Sequence, residues 1–213
     1  MGQDDARHLG AVLRLRAGEP VSATDGRGGL RSFVWDGAGG LEPAGEIDTE
    51  PRPDPPVTVA FAPVKGDRPE WAVQKLTELG VDRIVLLRAD RSVVRWDGER
   101  EAGHLARLHK VAVQAVMQSR RRWLPALELM WFGDLAAGGQ APGVGLAEPG
   151  GHPPTLALPT LMVGPEGGWS PEELSCGLPL VGLGPGVLRS ETAAVAAGVL
   201  LCALRAGVVS SPR

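Results

Sequence analysis

Two glycine-rich turns in the last third of the chain carry the residue types expected of a ligand site. The first, residues 164–168, follows the apolar run 161–163, and the second, residues 184–186, follows the apolar run 178–183. Glycines after strands let a ligand approach the backbone closely and leave N–H groups free to bind it. The two turns together therefore predict the walls of one ligand site, although the first turn alone is also compatible with an ordinary tight turn.

The residues after each turn predict the start of a helix. Ser170 suits an N-cap, Pro171 suits the first helical position, and Glu173 completes a capping box. After the second turn, Ser190 suits the N-cap of an apolar helix that runs to Arg205. Neither turn carries the Gly-Lys-Ser/Thr of a P-loop or the GxGxxG of a dinucleotide site, so neither of those two sites is predicted.

Composition and charge describe a globular protein with one basic segment. The 213 residues carry a net charge of −3 and only two cysteines, whose spacing fits neither a metal site nor a disulfide pattern. Residues 57–130 have a net charge of +4, whereas residues 1–56 and 131–213 are acidic. An RNA-binding protein needs a basic face, and by charge alone the middle segment is the one that supplies it. Without a signal or membrane-spanning stretch, we expect a cytoplasmic protein.

A change of pattern divides the chain into two predicted domains. Residues 1–50 have short alternating runs broken by Asp-Gly and Gly-Gly pairs, which are hairpin signals, and residues 8–15 suit a short helix. The Pro-rich segment 51–56 is a stiff connector. We therefore predict domains at residues 1–54 and 55–213.

The second domain has an α/β pattern. A buried strand at 57–62, a helix at 69–79 and a strand at 81–87 predict a parallel sheet. A long helix follows over Glu99–Ser119, with apolar residues at spacings of three and four. Such a fold predicts ligand binding at the carboxyl ends of its strands.

Five sequence strings resemble those of one known family. GPEGG at 164–168 and LGPGVLRSETA at 183–193 closely resemble the signature of the RsmE family of SPOUT-class methyltransferases. QKLTELGV, ADRSVV and HLGAVLRL with a following TDG also match, so the resemblance covers nearly the whole chain. The family methylates N3 of a specific uridine in 16S rRNA of the small ribosomal subunit, with S-adenosyl-L-methionine as the methyl donor.

The resemblance implies a fold and a partner as well as an activity. It implies a small N-terminal PUA-like β-barrel, here shortened, that helps to hold RNA, and a C-terminal SPOUT α/β domain with a trefoil knot. It also implies a homodimer formed through the last helix, for which a purely intramolecular core is the alternative.

The resemblance further implies the cofactor-binding residues. One wall is implied to contain Met162, Gly164, Pro165, Glu166, Gly167 and Gly168, together with Leu146 at the end of the apolar run 144–147. The other wall is implied to contain Leu183, Gly184, Pro185, Leu188 and Ser190. Two positions depart from the family pattern, since Gly186 stands where the family usually has Arg and Ser190 where it has Thr.

Three charged residues are the catalytic candidates. Arg189 matches the family's motif arginine, and we expect it to stabilise negative charge on the oxygens of the uracil. Glu166 or Glu191 would assist removal of the N3 proton, and the sequence does not choose between them. Glu191 is equally compatible with a carboxylate in the first turn of a helix.

Seven basic residues are the RNA-binding candidates. Arg14 and Arg16 match a basic segment of the family's first domain, and Lys65 and Arg68 occupy a turn where the family is basic. Arg120, Arg121 and Arg122 form the densest positive cluster in the chain and suit phosphate contacts. Two further functions remain open: a SPOUT enzyme that acts on another RNA, and a non-catalytic RNA-binding or ribosome-assembly factor.

Overall fold

The chain folds into two compact units. The computed structural model describes residues 2–94, 96, 98–137 and 143–210. One unit comprises Met1–Arg52 with Arg121–Trp123, and the other comprises Pro53–Arg120 with Leu124–Arg213. The division falls within the Pro-rich connector, and the short segment Arg121–Trp123 belongs to the first unit, which the sequence does not indicate.

The first unit is an antiparallel sheet preceded by a short helix. Helix α1 spans Gln3–Arg7 and runs into a π-helical turn at His8–Val12, so the helical segment begins and ends earlier than the predicted 8–15. The strands are β1 (Pro20–Thr24), β2 (Gly29–Trp35), β3 (Leu41–Pro43) and β4 (Asp48–Thr49). Strand β2 lies in the middle and pairs with the other three.

Aspartates shape the two predicted hairpin turns. Asp25 Oδ1 accepts the backbone N–H of Arg27 at 2.7 Å and that of Gly29 at 3.0 Å. These donors hold the pKa of the Asp25 carboxyl below its usual value. Asp36 makes the equivalent turn between β2 and β3, where its side chain accepts the N–H of Gly40 at 2.8 Å. The Asp-Gly signals in the sequence therefore predicted both turns correctly.

The second unit is a six-stranded parallel sheet flanked by helices. Its strands are β5 (Thr58–Phe61), β6 (Arg83–Arg88), β7 (Ala126–Trp131), β8 (Val144–His152), β9 (Thr160–Val163) and β10 (Leu180–Val181). Its helices are α2 (Arg68–Leu79), α3 (Glu99–Ser119), α4 (Phe132–Ala137), α5 (Pro171–Leu174) and α6 (Ser190–Arg205). The strand order is β10-β8-β9-β5-β6-β7 and every pair is parallel, which confirms the predicted sheet.

The sheet is buried on both faces, since every residue of its central strands β5 and β9 is buried. On one face, Phe61, Leu86 and Leu161 pack with residues of α2, α3 and α6. On the other face, Leu87 and Met162 pack with residues that include α4 and the turn after β9. Successive strand residues point to opposite faces, so neighbours in sequence belong to different cores. Within the described residues, no helix has both the length and the apolar character required to span a bilayer.

A buried ion pair anchors the end of α6 to the start of the sheet. The Arg205 guanidinium pairs with Asp82 and donates to the carbonyl of Gly80 at 2.7 Å. The Asp82 carboxylate also accepts the backbone N–H of Val57 at 2.8 Å, and its side chain is only 3% exposed. A buried carboxylate depends on such a partner, so this pair holds α6 against β5 and the end of α2.

Candidate functional site

The two glycine-rich turns enclose a cavity of about 440 Å³. It lies where the paired parts of β8 and β9 end, at Ala147 and Val163. Nine of the predicted site residues line it: Gly164, Pro165, Glu166, Gly168, Leu183, Gly184, Leu188, Arg189 and Ser190. We call this space the first cavity. Its volume falls within the range typical of small-molecule and cofactor pockets.

Four predicted contacts do not line the first cavity, and two of them point to the opposite face of the sheet because strand residues alternate. Leu146 and Met162 are fully buried in the core on the opposite face of the sheet. Their neighbours Ala147 and Val163 point to the other face and line the cavity instead. Gly167 and Pro185 lie within the two turns but outside the lining. The predicted pair and the lining pair are consecutive residues of the same two strands.

Eight lining residues were missed by sequence reasoning: Ala147, Glu148, Pro149, Val163, Trp169, Gly186, Val187 and Ala193. Most of them lie next to a predicted residue, so extending each motif by a few residues would have included them. Trp169 carried a signal of its own, because a large aromatic residue directly after GPEGG could have been predicted to form a wall of the site.

Trp169 explains why residue 164 is glycine. A Cβ atom at Gly164 would lie 3.1 Å from Trp169 Cε2, closer than ordinary van der Waals contact. The Trp169 side chain cannot easily withdraw, because it is 4% exposed and its Nε1 donates to the Ala147 carbonyl at 3.1 Å. The first turn, the middle of β8 and the indole ring therefore form one tightly packed wall.

The capping box predicted after the first turn is present, and it is also hydrogen-bonded to the segment after β6. The Ser170 side chain accepts the Glu173 N–H at 3.1 Å, and the Glu173 carboxylate accepts the Ser170 N–H at 2.8 Å. Asp90 joins this box, since its N–H donates to Glu173 Oε1 at 2.9 Å and its carboxylate accepts from Ser170 Oγ at 2.6 Å. Arg91 donates to the carbonyl of Gly167 at 3.1 Å. The segment after β6 therefore fixes the first turn.

Ser190 does not cap α6, contrary to the prediction. The N-cap residue is Arg189, and Ser190 is the first residue of the helix. The Ser190 hydroxyl instead donates to the carbonyl of Gly164 at 2.9 Å. The side chain is buried, so the hydroxyl bonds to the facing turn rather than to its own helix. This bond ties the two walls of the first cavity together.

Arg68 links the two candidate proton acceptors. Its guanidinium lies 3.0 Å from Glu166 Oε1 and 3.4 Å from Glu191 Oε1. The hydrogen bond that Arg68 donates to the Glu166 carboxylate is the main reason that the pKa of Arg68 is raised. The Glu166 side chain is 52% exposed and lines the first cavity, whereas the Glu191 side chain is 9% exposed and does not. Arg68, predicted to contact RNA, is thus engaged by two carboxylates.

One carboxylate oxygen of Glu191 nevertheless lacks a hydrogen-bond partner among the described residues. This atom, Oε2, is buried. Arg189 is exposed on the cavity wall, and its guanidinium makes no hydrogen bond or ion pair within the described ranges. Arg189 is therefore available to a bound ligand.

The other predicted RNA-binding residues fall in both units. Arg14 and Arg16 are exposed in the first unit, and Arg121 and Arg122 also belong to that unit. Arg122 pairs with Asp48 at 2.7 Å, which leaves its side chain only 21% exposed. In the second unit, Arg120 ends α3 with a left-handed φ of 57° and is exposed, as is Lys65.

A smaller second cavity of about 110 Å³ adjoins the first. Pro63, Val64, Lys65, Arg68, Val93, Pro165 and Glu166 line it. Pro165 and Glu166 line both cavities, so the first glycine-rich turn borders both. Within the described residues, no cluster of three or more His, Cys, Asp or Glu is arranged to hold a metal ion.

Comparisons with known proteins identify the family. Residues 51–201 match the family described as RNA methyltransferase domain. The chain belongs to this RNA methyltransferase family. Residues 2–34 of this RNA methyltransferase also match the RNA methyltransferase PUA domain. The relationship predicted from the glycine-rich strings is thereby confirmed.

Named relatives of this RNA methyltransferase agree with that assignment. The chain is 35% identical over 215 residues to ribosomal RNA small subunit methyltransferase E of Mycobacterium bovis. This alignment covers 91% of this chain and 82% of the relative. A crystal structure of a probable rRNA-methyltransferase from Porphyromonas gingivalis aligns with a TM-score of 0.83 at 29% identity, covering 98% and 94% of the two chains. Ribosomal RNA small subunit methyltransferase E of Neisseria gonorrhoeae, bound to S-adenosyl methionine, aligns with a TM-score of 0.77 at 26% identity, covering 97% and 90%.

Proposed function

We propose that this protein transfers a methyl group from S-adenosyl-L-methionine to N3 of a specific uridine in the 16S rRNA of the small ribosomal subunit. The observation that carries the proposal is the first cavity, which is built by both glycine-rich motifs where the pairing of β8 with β9 ends. The named relatives, which include a structure bound to S-adenosyl methionine, support the same activity.

The lining of the first cavity fits this cofactor. Leu183, Val187 and Leu188 offer apolar surface to an adenine ring, and the glycine-rich turns bring backbone polar groups close to a ligand. Two carboxylates, Glu148 and Glu166, and one cation, Arg189, line the cavity. This excess of negative charge favours a ligand that is positively charged.

The chain's own residues then act on the uracil. S-Adenosylmethionine, when bound, supplies a methyl group on a positively charged sulfur. Arg189, exposed and without a protein partner among the described residues, stabilises negative charge on a uracil oxygen. Glu166 accepts the N3 proton, because it lines the first cavity and is half exposed, whereas Glu191 is buried away from it. The larger part of the rate comes from holding the two substrates in place.

The same proposal includes the overall organisation. The first unit, a four-stranded antiparallel sheet, acts as a PUA-like barrel that holds RNA through Arg14, Arg16, Arg121 and Arg122. Arg120 in the second unit is a further RNA contact. The family match over residues 2–34 supports this role. The second unit is a SPOUT domain whose carboxyl-terminal segment forms a trefoil knot. We assign the domains to residues 1–54 and 55–213 and expect the protein to act in the cytoplasm.

Homodimer formation through α6 is also part of the proposal. Val199 on this helix is 42% exposed, and Val208 just beyond it is 76% exposed. An apolar surface of this kind suits burial against a second copy of the chain. Sedimentation analysis of Val199→Asp is expected to give more monomer than the wild type, and an unchanged mass would argue against this interface.

Methyl transfer from labelled S-adenosylmethionine to unmodified small ribosomal subunits tests the proposed activity, with naked rRNA and tRNA as controls. A methyl group at N3 removes the Watson–Crick donor of the uracil, so reverse transcription stops there. One new stop at a uridine is the expected result. Label in tRNA would indicate a SPOUT enzyme with another substrate, and no label anywhere would favour the non-catalytic RNA-binding factor.

Replacement of Arg189 tests its assigned role. Arg189→Ala is expected to lower kcat by about 10²- to 10³-fold, as is typical when one donor to a developing oxyanion is removed. The affinity for S-adenosylmethionine, measured by calorimetry, is expected to stay close to that of the wild type. Wild-type turnover in this variant would remove Arg189 from the mechanism.

A further inference from the structure

The second cavity lies beside the first and has a different character. Its volume of about 110 Å³ is a quarter of the 440 Å³ of the first cavity. Cofactor pockets are typically larger than about 300 Å³, so the second cavity suits a fragment of a ligand, such as one small ring. Pro165 and Glu166 line both spaces. A ring in the second cavity therefore lies next to a ligand in the first.

The walls of the second cavity match a flat ring with polar edges. Pro63, Val64 and Val93 contribute apolar surface, and Val93 is 63% exposed. Lys65, Arg68 and Glu166 contribute charge. A pyrimidine base has this combination of apolar faces and an edge of hydrogen-bonding groups, and ligand pockets typically combine apolar walls with a few placed polar groups.

The two cations of this cavity are not equivalent. The Arg68 guanidinium is held by Glu166 at 3.0 Å and by Glu191 at 3.4 Å. The Lys65 ammonium is exposed and forms no ion pair or hydrogen bond within the described parts of the chain. Arg68 therefore orients the carboxylates, and Lys65 remains available as a donor to an incoming acceptor.

We propose that the second cavity binds the target uracil and that Lys65 is a catalytic residue, donating a hydrogen bond to a carbonyl oxygen of the base. This inference rests on the proposed function. In the reaction, the N3 proton passes to Glu166 and the N3 electron pair forms the bond to the methyl carbon. The electron pair of the broken carbon–sulfur bond stays on sulfur, which becomes a neutral thioether.

The chemistry of uracil explains why a second cation is useful. Two carbonyl oxygens flank N3, and both gain negative charge as the N3 proton leaves. Arg189 on the wall of the first cavity serves one oxygen, and Lys65 on the wall of the second serves the other. A fixed positive charge near such an oxygen stabilises the anionic base before the bond forms. Lys65 therefore acts on the chemical step rather than on cofactor binding.

The test compares Lys65→Met with the matched control Lys75→Met under single-turnover conditions, using the full-length protein and small ribosomal subunits. Lys75 is partly exposed on α2, and its ammonium already pairs with Glu78 at 2.8 Å. Lys65→Met is expected to lower the methyl-transfer rate by about 10²-fold and to leave the affinity for S-adenosylmethionine unchanged. Lys75→Met is expected to behave like the wild type.

Two further readouts separate a catalytic role from general RNA attraction. The rate deficit of Lys65→Met is expected to shrink as the pH rises, because hydroxide then ionises N3 without help from the cation. It is also expected to shrink when the subunit RNA contains 5-fluorouridine, since fluorine lowers the pKa of N3. A deficit that stays constant with pH and with 5-fluorouridine would overturn the proposal, as would a wild-type rate. Failure of the wild-type protein to methylate any RNA would instead overturn the proposed function.

Discussion

Replacing Gly164 with alanine is expected to weaken binding of S-adenosylmethionine without unfolding the protein. The added Cβ would lie 3.1 Å and 3.2 Å from two ring carbons of Trp169. Carbon atoms in contact normally lie about 3.5–4.0 Å apart, so the indole ring has to move by several tenths of an ångström. Trp169 lines the first cavity, and any such movement changes the shape of that wall.

The size of the effect follows from how tightly Trp169 is held. The ring is 4% exposed and hydrogen-bonded to the Ala147 carbonyl at 3.1 Å, so it has little room to adjust. Extra atoms in a well-packed core cost about 1–3 kcal/mol. If this penalty falls on the form of the protein that binds the cofactor, the Kd rises by about 5- to 150-fold, because 1.4 kcal/mol corresponds to a factor of ten.

Calorimetric titration with S-adenosylmethionine measures this change directly. The matched control is Gly133→Ala in α4, where an added Cβ meets no atom within 4 Å. A double-mutant cycle with Trp169→Phe adds a second check, because the smaller ring leaves room for the alanine. Gly164→Ala is then expected to cost less in the Trp169→Phe background. Wild-type affinity in the single variant, or equal costs in both backgrounds, would refute the packing argument.

Two further predictions concern the charges that hold each unit together. Arg205→Met leaves the Asp82 carboxylate buried without its partner and is expected to lower the free energy of unfolding by about 3–5 kcal/mol in urea titrations. Lys75→Met, which removes an exposed pair, is expected to cost at most about 1 kcal/mol. In the first unit, the hydrogen bond that Arg122 donates lowers the pKa of Asp48. The ionised Asp48 therefore stabilises the folded protein above the unfolded-state pKa of this carboxyl, and this stabilisation is lost as the pH falls through the folded-state pKa. An NMR titration of Arg122→Met is expected to return the pKa of Asp48 to its ordinary value, and an unchanged pKa would contradict this account.

Local sequence signals predicted much of the fold. The apolar runs predicted strands β5, β6, β9 and β10 of the parallel sheet but not β7, and the predicted helix Glu99–Ser119 has the bounds that the structure shows. Asp-Gly pairs marked the hairpin turns, and the spacing of Ser170 and Glu173 gave the capping box. These features depend on residues close together in the chain, so periodicity and turn chemistry suffice to predict them.

Features that depend on distant residues were not predictable in this way. Ser190 is a residue type that often caps helices, but its hydroxyl donates to the carbonyl of Gly164, which lies 26 residues earlier in the chain. Arg122 belongs to the predicted basic cluster, but the sequence does not indicate that it pairs with Asp48, 74 residues away. Leu146 belongs to the correct strand, yet only the register of the sheet shows that it faces away from the first cavity.

The bond between Ser190 and Gly164 has a consequence for the order in which the site is completed during synthesis. A nascent chain that has emerged only as far as residue 182 contains the first wall of the cavity but neither Leu183 nor any residue of α6. The carbonyl of Gly164 then lacks the hydroxyl that fixes the opposite wall. We therefore expect a ribosome-bound chain to become able to hold the methyl donor only after the segment that contains α6 has been translated and folded onto the sheet.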